Sequence, residues 1–401
     1  MKLWPLVSSV ALCGYASAVL AQPAPPIKIG VLADMSSVYS EGGGKGSVVA
    51  VELAIEDSGG KALGQPVQVV SADFQLKTDL ALSIAKQWFD REGVDAIFDV
   101  ANSGTAIAIN NLAKEKKKLV FIGSAAADPV GGNECNGYGM GWLYTISSVV
   151  KSVTAAQLKK GLDTWFLLLP DTAYGTLIDA SIRKEVAAGG GKIVGSVRFP
   201  NETTDFSSFL LQAQSSNAKL IVQTVAGNAQ SSTMKQAKEF GLPNSKQAMG
   251  GMIDLVTDVK AAGVEVMQGQ TYGTSFYWNF DDRTRAFANR FYAKTKKMPT
   301  NQQAADYSAV MSYIKAVNST NSRDPEKITA FLRQQKFDDP VVRNGTLRKG
   351  GRLVHDMYLV QVKSPAEKQG EWDFYKVIDV VPAEKAFGPL SESACPMDLE
   401  K

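Results

Sequence analysis

The chain has 401 residues, enough for two lobes with separate cores, and carries 43 Lys and Arg against 40 Asp and Glu for a net charge of +3. That near balance excludes a nucleic-acid binder, because the longest basic run, Lys114 to Lys118, reads as a solvated helix end. One histidine and three cysteines make a poor metal site, and no cofactor motif occurs, so no cofactor is expected.

Met1-Lys2 is followed by an apolar run from Leu3 to Leu20 and by small residues before Gln22. This is the layout of a secretory signal peptide over residues 1–21, cut after Ala21, with Ala16-Ser17-Ala18 as a second choice. An uncleaved membrane anchor is the alternative. The run holds Pro5 and Gly14 and is short for a membrane span, and no later stretch is longer, so the chain is not expected to be membrane-embedded. Leu12 precedes Cys13 where a lipid-attachment site wants a small residue, which argues against a lipoprotein. Residues 22–26, with Pro23, Pro25 and Pro26, form a stiff linker. The mature chain therefore works outside the cytoplasm.

From Ile27 onward, short apolar runs alternate with longer amphipathic ones. Lys28 to Ala33 reads as a buried parallel strand, Ser47 to Ser58 as a helix ended by Gly59-Gly60, and Val67 to Ala72 as the next strand. Leu80 to Glu92 and Thr105 to Lys116 are helices around the strands Asp95 to Val100 and Leu119 to Ile122. The order then starts over. Strands at Trp165 to Leu169, Lys192 to Val197, Leu220 to Thr224 and Gln247 to Met249 alternate with helices at Gly175 to Ala188, Phe206 to Ser215 and Ala229 to Phe240. A strand at Gly269 to Thr274, helices at Asp282 to Lys296, Gln303 to Asn318 and Pro325 to Gln335, and a β-rich close at Arg352 to Val362 and Trp372 to Val380 complete the chain. Two βαβ series specify an α/β protein of two doubly wound, Rossmann-like lobes with parallel sheets.

Cys135 and Cys395 are left after the leader. In an oxidising compartment they invite a disulfide tying the C-terminal tail, residues 382–401, to a loop of the first lobe; two free thiols are the alternative. His355 reads as structural, near a strand start.

Open parallel sheets bind ligands beyond the carboxyl ends of their strands. Two such ends in the first lobe carry small polar loops. Asn102-Ser103-Gly104-Thr105 precedes a helix whose first N–H groups favour an anion, and Gly123 to Asp128 follows the next strand. Ser103 and Thr105 could equally be plain helix caps. In the second lobe Tyr174 follows a buried strand, and Met252-Ile253-Asp254 follows Met249. A Tyr174 that only packs is the alternative to one that meets ligand.

Lys28 to Met35, Gly59-Gly60, Asn102 to Thr105, Ala173-Tyr174-Gly175, Asp205-Phe206-Ser207 and Gln236-Ala237 with Gly241-Leu242 stand in an order that resembles periplasmic substrate-binding proteins of ABC importers, branched-chain amino acid type. The resemblance spans about Ile27 to Val380. It implies three hinge crossings, near Tyr144 to Ser148, Gly273 to Phe276 and Val354 to Leu359, with the ligand cleft between the lobes. Lobe I is expected at 27–146 with 275–356 and lobe II at 147–274 with 357–381. The resemblance further implies that Ser103 meets a ligand carboxylate, that Ala125 and Ala126 offer backbone contacts to it, and that Tyr174 is the pocket tyrosine. A small-molecule ligand, an inner-membrane permease as partner, a monomeric state and a periplasmic location are implied with it.

Two departures bear on the ligand. Ala127 stands where amino acid binders of this family carry a threonine, and Met252 where they carry a glutamate for the ligand's ammonium. An unpaired ammonium in a dry cleft costs roughly several kcal/mol. Asp254 could substitute, since residues two apart in extended chain share a face. Tyr39, Trp142, Tyr174 and Met252 would suit a planar or apolar ligand body, although Tyr39 and Trp142 could equally be core. An aromatic or other small acid lacking an amino group is therefore the favoured ligand; an amino acid or amide is the alternative.

No catalytic set is visible. There is no Gly-x-Ser-x-Gly elbow, and Gly42 to Gly46 lacks phosphate-loop spacing. A transport binding protein is thus expected rather than an enzyme, with a periplasmic sensor partner or a periplasmic hydrolase as readings from other classes.

Overall fold

The computed structural model of the chain describes residue 1, residues 25–243 and residues 246–400; the expected leader at 1–21 and most of the 22–26 linker lie outside them. Among the described residues, the first sheet runs in the order Lys61–Ala62, Gln65–Asp73, Ile27–Ala33, Ala96–Asp99, Leu119–Ile122, Gly139–Gly141. It is parallel except for the short Lys61–Ala62 strand. Ile27–Ala33 is a near-continuous apolar run because it is central and covered on both faces. The second sheet, Ala248–Gly251, Leu220–Gln223, Thr164–Pro170, Lys192–Phe199, is parallel throughout.

Each lobe is doubly wound, and the chain passes between them three times. The passages follow Gly139–Gly141, Thr271–Thr274 and Leu353–Val354. Thr271–Thr274 then pairs antiparallel with Met357–Val362, which pairs with Tyr375–Val381, so a small sheet flanks the second lobe beside the crossings. Helix Asn301–Thr320 returns to the first lobe and packs on helix Gly44–Asp57 and the strand Ala96–Asp99.

Most element expectations hold to within a few residues, with instructive differences. The expected helix Leu80 to Glu92 is an α-helix only over Thr78–Gln87; Trp88–Glu92 widens to a π-helical turn that ends at Gly93, whose φ is +69°. Helix Ile146–Lys159 was hidden in the sequence, because its buried side includes Ser148, Ser152, Thr154 and Gln157, so polarity does not mark its inner face. Thr145 starts it with a reciprocal cap to Ser148. The first crossing therefore ends before Ile146 rather than at Ser148.

Cys135 and Cys395 are joined, with Cα atoms 5.8 Å apart across a sequence separation of 260, so the tail is tied to the loop after Leu119–Ile122. His355 is buried, with Nδ1 2.8 Å from the Asp356 carbonyl and its ring edge-on to Phe387. Burial depresses its pKa from 6.5 to about 4. No described helix is long and apolar enough to cross a membrane.

Candidate ligand-binding site

The carboxyl ends of both parallel sheets face one interlobe cavity of about 660 Å³, counting its part open to solvent. Lobe I contributes Val38, Tyr39, Asn102, Ser103, Ser124, Ala125, Ala126 and Gln302; the far wall is Tyr174, Val225, Ala226, Gly227, Ile253 and Leu255, with Leu143 and Tyr144 at the first crossing.

The Ser103 loop owes its shape to an unusual backbone. Asp99, Val100 and Asn102 all take positive φ, at +80°, +56° and +71°, between the strand Ala96–Asp99 and the helix Ser103–Lys116. For residues with a Cβ such conformations are strained and persist only where neighbours hold them. Asn102 caps the helix, its Oδ1 accepting from Gly104 N at 2.9 Å and Thr105 N at 3.3 Å. The amides of Gly104 and Thr105, read from the sequence as open to an anion, are therefore taken by the cap. Thr105 is fully buried with its hydroxyl 2.8 Å from that of Thr78. Neither Gly104 nor Thr105 lines the cavity, whereas Ser103 does.

The second loop is held from behind the cavity by Ile146 and Arg352 and from the cavity wall by Gln302. Ala126 O accepts from Ile146 N at 3.0 Å and Ala127 O from the buried Arg352 at 2.8 Å. Gln302, near the start of helix Asn301–Thr320, donates to Ser124 O at 3.3 Å. The bonds to Ile146 and Arg352 leave Ala125 and Ala126 as cavity wall beside Ser124 and Gln302. Across the cleft, the Tyr174 hydroxyl donates to Thr224 O at 2.8 Å, which turns its ring to the cavity. Burial raises the Tyr174 pKa well above its ordinary value, so it stays a neutral phenol.

The structure thus brings together Tyr39, Ser103, Ala125, Ala126 and Tyr174. Three other expected residues stand elsewhere. Trp142 is in the core, edge-on to Phe121 and Phe337, its indole N–H donating to Ser308 Oγ at 3.0 Å. Met252 is buried in the same core with its carbonyl accepting from Gly273 N. Asp254 faces away from the cavity: Gln230 donates to its Oδ1 at 2.7 Å and Tyr375 to its Oδ2. Burial, then the charge of Asp258, raises the Asp254 pKa well above the carboxylate range. The two-residue spacing from Met252 does put Asp254 on a shared side of the chain, but that side is the lobe interior.

Ile253, of the Met252-Ile253-Asp254 segment, does reach the wall, whereas Gln302, Tyr144, Val225 and Leu255 are wall residues that the sequence reading does not single out. Val225 to Gly227 follows the carboxyl end of Leu220–Gln223, so the strand-end rule reaches it. Gln302 carries no such signal, since it arrives from a helix 178 residues after Ser124. Among the described residues lining the cavity none bears a charge. The wall is apolar and aromatic with a few hydroxyls and amides, which suits a small ligand of modest polarity.

Residues 26–370 match the model of a family described as periplasmic binding protein. A branched-chain amino acid ABC transporter periplasmic ligand-binding protein from Burkholderia xenovorans LB400 is 66% identical, with a TM-score of 0.85 over 93% of this chain and 100% of its own. A Leu/Ile/Val-binding protein homolog of Brucella suis biovar 1 is 23% identical over 79% of this chain and 84% of its own. An R. palustris ABC transporter solute-binding protein solved with benzoate shares the fold, with a TM-score of 0.80 at 19% identity over 90% of this chain and 97% of its own.

Proposed function

The chain belongs to the periplasmic binding protein family as the solute-binding component of an ABC importer, and on that premise we propose that its cleft captures a small carboxylate lacking an amino group, an aromatic acid above all. One observation carries this reading: no acidic side chain lines the described cavity wall. An amino acid would bring an ammonium with no carboxylate to meet it, because Met252 is core and Asp254 is committed to Gln230 and Tyr375. A benzoate-like acid needs only an anion contact at one end and apolar surface around its ring. Ser103 and the Ala125-Ala126 backbone supply the first, and Tyr174, Tyr39, Leu143 and Ile253 the second. The ligand complex of the R. palustris protein supports the choice of benzoate as a probe.

Calorimetric titration with benzoate and with leucine tests the reading. Binding of benzoate with leucine silent is expected; tight leucine binding with benzoate silent overturns it. A branched-chain amino acid is the second reading, favoured by the name of the 66% identical Burkholderia protein.

We place the lobes at 27–146 with 275–356 and 147–274 with 357–381, the tail at 382–401, a signal peptide cut after Ala21, and a monomer delivering to an inner-membrane permease. Uptake measured with and without that permease separates an importer from a sensor.

A further inference from the structure

Beneath the two loops of the first lobe lies a group that ligand binding does not use. Asp99 and Asp306 are both fully buried, and the groups their carboxyls meet are the Ser47 and Ser124 hydroxyls and the Asp99 backbone, with no cation among them. The Ser47 and Ser124 hydroxyls, also buried, have these carboxyls as their neighbours and no other partner among the described residues. Asp99 and Ser124 meet at Gly43, and Asp306 lies on Gly123, the residue before Ser124. A Cβ on Gly43 would meet both Asp99 Oδ2 and Ser124 Oγ at 2.6 Å, and one on Gly123 would meet Asp306 Oδ1 at 2.0 Å. Asp99 is the first of the positive-φ residues leading to Ser103, and its carbonyl accepts from Gly123 N at 2.9 Å and Ser124 N at 3.2 Å. Asp306 sits one helical turn after Gln302.

The pair therefore joins the Ser103 loop, the Ser124 loop and the start of helix Asn301–Thr320. The groups facing it are Asp34 from the end of the first strand, Ser47 from helix Gly44–Asp57 and Ser124; no cation weighs on either carboxyl. Two buried carboxylates without a counter-ion resist ionising together, so the pair keeps a proton.

We propose that Asp99 and Asp306 are positioning residues that share one proton, that this proton fastens the two ligand loops, and that an arriving ligand anion is bound together with it. Burial raises the Asp99 pKa to about 7 and, with the charge of Asp99, raises that of Asp306 well above the carboxylate range. A ligand carboxylate at Ser103 adds negative charge nearby and raises the pair's proton affinity further. Affinity is then full below the pair's titration in the free protein and is lost as pH rises through its titration in the complex. This coupling rests on the carboxylate reading of the cleft; the shared proton does not.

The test has two arms. In the ligand-free protein, the infrared difference between the unsubstituted protein and Asp306→Asn is expected to show a protonated-carboxyl band at about pH 6, with the other buried acids such as Asp254 cancelling in the subtraction. Absence of that band from the difference overturns the proposal. With benzoate as probe, affinity is expected to fall on the order of fivefold between about pH 6 and pH 8.5, and Asp306→Asn, which mimics the neutral acid, is expected to flatten that fall. An unchanged pH profile in Asp306→Asn overturns the coupling. Asp99→Asn serves as the second variant if Asp306→Asn does not fold. Benzoate silent at every pH counts against the carboxylate reading, while the band still decides the pair.

Discussion

The Tyr39 hydroxyl reaches across the cleft and donates to Asn201 Oδ1 at 3.2 Å. Tyr39 is presented by a loop that Asp34 holds, its oxygens accepting from Ser37 N at 3.0 Å, Ser37 Oγ at 2.7 Å and Tyr39 N at 3.0 Å. The bond joins the lobes at the cleft, so it weighs on the balance between closed and open forms. Asn201→Ala removes it without touching the cavity wall. The variant should bind ligand more weakly by about 0.5–1.5 kcal/mol and show a larger radius of gyration without ligand by small-angle scattering. Unchanged scattering and affinity would mean that the contact does not latch the lobes.

Ser103 offers the cavity a hydroxyl at a helix start, where a charge-assisted bond to an anion is worth more than a neutral one. Ser103→Ala should weaken benzoate binding by roughly 1 kcal/mol or more, with little change in melting temperature. Calorimetry checks it, and an affinity equal to that of the natural protein removes Ser103 from the site.

Trp142 separates packing from binding. Its side chain is edge-on to Phe121 and Phe337 and nearly fully buried. Trp142→Ala should cost about 3–5 kcal/mol of stability, whereas the milder Trp142→Phe should lower the melting temperature and leave ligand affinity as it was. A Trp142→Phe protein that is stable but binds poorly would return the indole to the cleft.

The bridge between Cys135 and Cys395 closes residues 135–395 into one loop. Cys395→Ser should destabilise by about 2–4 kcal/mol, read in a urea titration against the oxidised natural protein. Free thiols detected in the unreduced, unfolded natural protein would contradict the bridge itself.

His355 gives a pH dependence with a definite sign. Burial holds its folded pKa near 4 against an ordinary 6.5, so the folded state refuses a proton that the unfolded state accepts. The stability that neutral His355 contributes is complete above the unfolded value and is lost as pH falls through about 4. His355→Gln should narrow the loss between those limits by up to roughly 3 kcal/mol. Melting curves from pH 7 to pH 4 check this, and curves that run parallel for the two proteins would refute it.

Strand and helix order was readable because buried parallel strands are apolar runs and their crossover helices are amphipathic. Ile27–Ala33, Leu119–Ile122 and Thr164–Pro170 announce themselves in this way. Helix Ile146–Lys159 did not, since serines and threonines fill its buried face. The cleft was half legible for a similar reason. Ser103, Ala125, Ala126 and Tyr174 lie just past strand ends, where topology alone directs a ligand. Asp254 follows a strand as well, yet its carboxyl turns to Gln230 and Tyr375, a choice made by partners far away in the chain.

The sequence by itself determined the two-lobed α/β class, the strand ends that face the cleft and the pairing available to two exported cysteines. Each of these follows from local periodicity, loop composition or the compartment. Only the tertiary structure decided which side chains reach the cavity: it withdrew Trp142, Met252 and Asp254, spent the Gly104 and Thr105 amides on a cap, and brought Gln302 to the wall. It also buried Asp99 and Asp306 with no cation among the described residues beside either. Side-chain direction and the company of a buried charge depend on contacts between distant segments, and no local pattern of residues encodes those.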